Sequence, residues 1–389
     1  MTRQVRPAAV GWPQLFALLL LAGYVLQCLW VIHRLPLRRA EAAYAQAGLD
    51  QFAGKLLPRD SGALPIPAAV AGTPVVIVRP LHALSPDRLK WVLRLPFVAV
   101  GWLLGASIWY VARRLYGNAG GYIALTLYCF STAVYFPWPG PLLTGSLGVF
   151  GTIFVAIAAA HTLYAPAQRG LGELRSRWRR ILLLGISIAL AIGSGYWGLL
   201  LVGLGLLFML YLVPERRGAS ASIVAGGCVC AAVLLLACFG FHPRAFAAAI
   251  AQAQFLPFQR GMISSEVLRA YVTGISHGEN PILLLLLLAA VSLIAYFTWS
   301  RCRYFGNTAP LLSLAVLTAL GLVSFADVFV GPFPFRSTPF LYVFIGGIFA
   351  DLLESRWRTT VLVAIVGLLA IYALSSVLVL ARLRPGIVY

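Results

Sequence analysis

The stretch RLPFVAVGWLLGASIWYVARRLYGNAGGYIALTLYCFS, Arg94 to Ser131, decides how the rest of the chain is read. It carries two apolar runs, read as spans near 91–112 and 119–138, with Arg113 and Arg114 between them. A helix needs about 20 predominantly apolar residues to cross a bilayer, so this stretch reads as two spans joined by a charged link. Worked outward, the same criterion gives spans near 10–32, 141–164, 181–194, 196–213, 220–241, 281–299, 309–329, 337–353 and 359–381. The short pair at 181–194 and 196–213 meets at Gly193-Ser194-Gly195-Tyr196-Trp197-Gly198, where one long kinked helix is the alternative. The expected fold is all-α: a polytopic bundle of about 11 spans, forming a single transmembrane domain over 1–389.

Composition agrees. Hydrophobic residues make up 61% of the 389 and charged ones 11%, against about 25% charged in soluble domains. The formal charge of +19 would suggest nucleic acid in a soluble protein. Here the basic residues sit in short links between apolar runs, where they set membrane orientation. No basic stripe is interleaved with aromatics, so nucleic acid is not an expected partner. Cys28, Cys129, Cys228, Cys230 and Cys238 fall inside apolar runs, and with Cys302 they form no CxxC pattern. They read as thiols behaving as small hydrophobes rather than as disulfides or metal ligands. The first run is long enough to span, and reads as a span rather than a cleavable signal peptide.

Orientation follows from the links. With the N-terminus inside, the cytoplasmic links collect Arg113, Arg114, the arginines between 169 and 180, Arg216, Arg217, Arg301, Arg303, Arg356 and Arg358. The opposite links FPWPGP, GSGYWG and VFVGPFPF carry no basic residue. Arg382 and Arg384 are the one discord, because an odd number of spans leaves them outside. The expected location is the bacterial inner membrane, multi-pass, with a cytoplasmic N-terminus.

Two long segments, 33–90 and 242–281, then lie on the outer side, and loops of that length are usually functional. Glu41, Asp50, Asp60, Asp87, Glu266, Glu279 and Asp327 sit on this face, seven of the 11 acids, so any chemistry is expected there. Leu37–Phe52 has a helical period with a polar face, which predicts a helix lying along the membrane surface. Prolines at 58, 65, 67, 74, 80 and 86 are expected to forbid a long regular element after it. Phe246–Phe258 predicts a second interfacial helix.

Signatures of soluble enzymes are absent: there is no Walker A loop, dinucleotide fingerprint, HExxH or GxSxG. Apart from Asp327 and Asp351 near span ends, no carboxylate lies inside a span, which argues against ion or proton pathways. No inverted repeat is visible, which lowers a transporter reading further. His161 lies well inside a span, either as a buried histidine bonded to a neighbouring helix or as a relay.

The order of features resembles the polytopic C-type glycosyltransferases, such as protein mannosyltransferases and lipid A aminoarabinose transferases. The likeness rests on Arg94-Leu95-Pro96 opening a span, ARRLYG closing it, and Gly120-Gly121 before the next apolar run. It continues more loosely through Leu182–Arg217, HGENPILLLLLL and FRSTPFLYVFIGGIFADLL. The resemblance implies transfer of a sugar from a polyprenyl-phosphate donor to an acceptor at the extracytoplasmic face. It further implies a first-loop acid as base, a divalent metal in some members, and membrane lipid and the lipid-linked sugar as partners. The family's Asp-Glu-x-x-Tyr element matches Ala40, Glu41, Ala42, Ala43 and Tyr44, so the second acid and the tyrosine are kept while the first acid is Ala40. Its later Thr-Asp matches Thr144-Gly145, and its Thr-Lys-Gly-Pro matches Gly193-Ser194-Gly195-Tyr196, without the Asp and the Lys.

The candidate catalytic residue is therefore Glu41, as base, or alternatively as a solvated partner of Arg38 or Arg39. Candidates for donor phosphate or lipid headgroups are Tyr44, Arg79, Arg88, Arg94, Arg244, Arg260, Arg269 and Arg336; the arginine fork suits phosphate, and snorkelling at the interface is the alternative. His277 and Glu279 are candidate metal ligands, or a turn cluster capping the span that begins at Pro281. The second functional reading is a non-catalytic relative that binds lipid or assembles with other membrane subunits, which the lost acids favour.

Overall fold

The computed structural model describes residues 11–55, 64–78, 85–131, 140–164, 171–195, 198–212, 216–252, 280–298 and 338–382. Among these every regular element is a helix: α1 Trp12–Arg34, α2 Arg39–Phe52, α3 Pro65–Val78, α4 Pro86–Cys129, α5 Gly140–Tyr164, α6 Leu171–Gly193, α7 Gly198–Leu212, α8 Arg217–Cys238, α9 Pro243–Gln252, α10 Asn280–Thr298, α11 Thr338–Leu353 and α12 Arg358–Ala381. Among the described residues five stretches are long and apolar enough to cross a membrane, within α1, α4, α5, α8 and α12. Part of the difference from the expected eleven lies in α4, which holds two of the expected spans. The span expected near 309–329 lies outside the described residues.

α4 is folded back on itself. Gly117 has φ +77° and ψ −172°, a conformation open to glycine and strained for other residues. It separates an arm of 86–116 from an arm of 118–129. The Tyr128 hydroxyl donates to the Gly101 carbonyl at 2.6 Å. In a straight helix those residues would stand about 40 Å apart at 1.5 Å per residue, so the arms run antiparallel. Gly101 and Gly105, one turn apart, let Tyr24, Leu21 and Tyr128 close on the first arm: a Cβ at Gly105 would lie 2.7 Å from the Tyr128 ring and 2.9 Å from Leu21. Small residues at such spacing allow backbones to approach in a membrane, where hydrophobicity alone does not drive helices together. The same device joins the second arm to α11, with a Cβ at Gly346 only 2.7 Å from the Gly120 carbonyl.

The second arm ends inside the bundle. Its 12 helical residues span about 18 Å, short of the roughly 30 Å hydrocarbon core. A helix end in such a place needs partners for its last carbonyls. Tyr372 of α12 donates to the Leu127 carbonyl at 3.2 Å, Gln27 of α1 to that of Cys129 at 3.2 Å, and Ser376 of α12 to that of Phe130. The amides of Phe130 and Ser131 serve Thr126 and Tyr128. Gln27, Tyr372 and Ser376 each stand well along their helices, so α1 and α12 run parallel. The Trp30 indole N–H also donates to the Leu380 carbonyl at 3.4 Å, joining the ends of the two helices.

Pro36 explains why α1 stops, since the residue before a proline is driven extended, and Leu35 has φ −92° and ψ 131°. The chain then enters α2 and α3, which cross at Gly48 and Gly72: a Cβ at Gly48 would run into the Ala68 carbonyl and lie 2.9 Å from the Gly72 Cα. These helices and the start of α4 share a small core of Ala45, Ala71, Val75, Leu93 and Phe97. This cap sits where α1, α6, α8 and α12 end.

α3 corrects the expectation that the prolines forbid a regular element. Pro65 and Pro67 fall in its first turn, where no intrahelical amide bond is lost. Pro74 is tolerated inside it. α2 also differs from the surface helix expected: Glu41, Ala45, Ala47, Gly48 and Gln51 are buried. The Gln51 amide donates to the carbonyls of Cys238 at 2.8 Å and Pro65 at 3.2 Å, tying the cap to the end of α8.

Candidate functional site: a buried ion pair beneath the cap

Glu41 is the third residue of α2, where a carboxylate complements the positive end of the helix and can reach back to the amide of the N-cap residue. It does so with Arg38. Arg94 comes from the first arm of α4, about two turns below its start. Its Nε meets Glu41 Oε2 at 3.1 Å and its Nη2 meets Oε1 at 2.9 Å. Its remaining bonds go to the carbonyls of Leu35 at 2.9 Å and Pro36 at 2.7 Å, so four of its five N–H donors are engaged. Glu41 is 2% exposed and Arg94 6%. The guanidinium thereby satisfies the carbonyls freed where α1 stops, and holds α2 against them.

Burial pushes the Glu41 carboxyl above its ordinary value, and the Arg94 guanidinium pulls it back only in part. The charge that offsets Glu41 is thus Arg94, not the neighbours Arg38 or Arg39 alone. A buried arginine in an apolar helix requires a charged partner within reach, and tertiary packing brings Arg94 to Glu41 in place of the sequence neighbours Arg38 and Arg39.

Of the other candidates, Tyr44 is half-buried against the small core of the cap. Arg88 is exposed in the first turn of α4, and Arg244 is exposed in the first turn of α9. Arg79, Arg260, Arg269, Arg336, His277 and Glu279 lie outside the described residues. Among the described residues no three His, Cys, Asp or Glu side chains gather as a metal site would need.

The two stretches matched to the Thr-Asp and Thr-Lys-Gly-Pro elements of the C-type enzymes do come together. The Ser194 hydroxyl, at the end of α6, donates to Thr144 Oγ1 of α5 at 2.7 Å, with both side chains fully buried. Below them the α5–α6 seam is built on small residues, with a Cβ at Gly148 only 2.7 Å from the Ala191 Cα. The place is uncharged here and packed.

With the geometry in hand, the fold has known counterparts. It is that of the C-type glycosyltransferases. It is similar to the oligosaccharyltransferase of Archaeoglobus fulgidus in its apo form, with a TM-score of 0.64, 12% identity, and coverage of 96% of this chain and 57% of that one. The same archaeal enzyme, AglB, in complex with an inhibitory peptide and a dolichol-phosphate, matches with a TM-score of 0.54 and 11% identity over 97% of this chain and 57% of that chain. The chain therefore spans a little over half the length of these enzymes. No protein-family model matches the sequence, and no curated protein does.

Proposed function

We propose that this multi-pass membrane protein transfers a sugar from a polyprenyl-phosphate donor to an acceptor at the extracytoplasmic face, on the side that carries the cap. The observation that carries the reading is the fold, which follows an oligosaccharyltransferase along nearly the whole chain and brings the first-loop acid to the base of the cap. Within this reading Glu41 serves as base, which requires its carboxylate to leave Arg94 when the acceptor hydroxyl arrives. Arginine facing the departing phosphate would come from Arg94 once released, and from Arg88 at the exposed start of the same helix. Arg79, Arg244, Arg260, Arg269 and Arg336 complete the proposed set. The orientation is supported by Arg113 and Arg114 at the bend of α4 and by Arg356 and Arg358 at the start of α12, all opposite the cap. The full set of eleven spans belongs to the same proposal.

One observation favours a second reading. Both oxygens of Glu41 are engaged by Arg94 and the side chain is 2% exposed, which suits a fixed structural joint in a lipid-binding or assembly subunit. The two are separated by assaying purified protein for transfer from polyprenyl-phosphate sugars, with Glu41→Gln beside the parent. Transfer that is lost in Glu41→Gln supports the enzyme with Glu41 as base. Transfer that survives removes Glu41 from the chemistry, and no transfer from any such donor favours the non-catalytic subunit.

A further inference from the structure

The ends of α1 and α12 leave a cationic feature that the sugar-transfer reading does not use. The Arg34 guanidinium stacks over the Trp30 ring, 4.6 Å from its centre, and the same ring donates its N–H to the Leu380 carbonyl. Arg382, exposed, caps α12 two residues further on. One arginine thus lies on the tryptophan ring and a second follows the ring's hydrogen-bond partner by two residues, where both helices end. Trp12, at the other end of α1, is 84% exposed and stands about 27 Å away along the helix, so the pair of tryptophans marks the two edges of a hydrocarbon core of roughly 30 Å. Toward the membrane centre, Leu26 of α1 and Val377 and Leu378 of α12 present exposed apolar surface.

Arginine on this face runs against the rule that sets orientation, and the acids of the face that lie among the described residues are engaged elsewhere. Glu41 holds Arg94, Asp50 meets Lys55 at 3.3 Å, and Asp87 meets Lys90 at 3.1 Å. Among the described residues neither Arg34 nor Arg382 has an ion pair with a carboxylate. Arg34 is also held by the ring rather than trailing into water.

We infer that Arg34, Trp30 and Arg382 form a site for the phosphate headgroup of an anionic phospholipid, whose acyl chains lie along Leu26, Val377 and Leu378. The guanidinium fork suits a phosphate diester, and a lipid lodged there would bridge α1 and α12.

The test uses the full-length protein, purified in detergent, and native mass spectrometry with phosphatidylglycerol or phosphatidylcholine of matched chains. Two arginines near a membrane surface should give phosphatidylglycerol about a thirtyfold preference. Arg34→Gln with Arg382→Gln should bring the lipids near parity, and Arg382→Gln alone, at an exposed helix end, should cut the preference about fivefold. Arg356→Gln with Arg358→Gln, at the opposite face, should leave most of it. Preference that survives the Arg34/Arg382 change, or that vanishes with the opposite-face pair instead, overturns the site. Binding of a polyprenyl phosphate there, with phosphatidylglycerol no better than phosphatidylcholine, overturns it too.

Discussion

Arg94 and Glu41, 53 residues apart in sequence, meet through two hydrogen bonds of 2.9 and 3.1 Å under the cap. Removing one partner strands the other in a dry place. Arg94→Met should therefore lower stability by about 3–5 kcal/mol, the usual cost of breaking a buried pair. Glu41→Leu combined with Arg94→Met should regain part of that loss, because neither charge is then buried. Thermal unfolding of the purified variants reads both. Equal instability in the single and the double variant would show that the two side chains do not act as a pair.

The raised Glu41 carboxyl gives a pH dependence of definite sign. Its ordinary value is 4.5, so above that pH an unfolded chain releases the proton while the folded one retains it. The unfolded state then binds fewer protons, and stability falls as pH rises. The melting temperature of the parent, minus that of Glu41→Gln, should fall from pH 4.5 upward and level off once the folded carboxyl has ionised. A difference that rises over that window would mean Arg94 dominates burial.

The crossing of α2 and α3 depends on a missing side chain. Gly48→Ala would press a methyl on the Ala68 carbonyl and the Gly72 Cα, and overpacking of this kind costs about 1–3 kcal/mol. Gly23→Ala is the contrast: nothing lies within 4 Å of its Cβ position. It should stabilise α1 by about 0.5–1 kcal/mol through lost backbone freedom in the unfolded chain. Melting temperatures that move the same way for both would contradict the packing described.

The buried end of the second α4 arm predicts a smaller effect. Tyr372→Phe leaves the Leu127 carbonyl without its side-chain donor, at a cost of about 1 kcal/mol. Tyr110→Phe, on the exposed side of α4, should cost nothing measurable. Unfolding in denaturant separates the two.

How much of this was legible beforehand can be judged residue by residue. The apolar runs place α1, α5, α8, α11 and α12 to within a few residues, because membrane spans announce themselves by length and hydropathy. GWLLG at 101–105 held a signal for close packing, and the positions around Thr144 and Ser194, quoted for other reasons, proved to touch. The fold-back of α4 was half visible, as two spans around Arg113 and Arg114, while the turn itself rests on one glycine. α3 was hidden because proline is read as a breaker, although its first turn tolerates it. The Glu41–Arg94 pair joins two elements through tertiary packing, and no local pattern encodes it.

Trp30 and Leu380 are 350 residues apart, whereas Tyr128 and Gly101 are 27 apart. The two contacts belong to opposite ends of assembly. The α4 hairpin closes over a short loop and can enter the bilayer as a preformed unit while synthesis continues. The seam between α1 and α12 cannot exist until α12 arrives. Gln27 can reach Cys129 early, but the helix end it helps to cover stays partly bare until Tyr372 and Ser376 are in place. A nascent chain stalled before α12 therefore carries unsatisfied carbonyls within the membrane, a state open to quality control that the arrival of α12 erases.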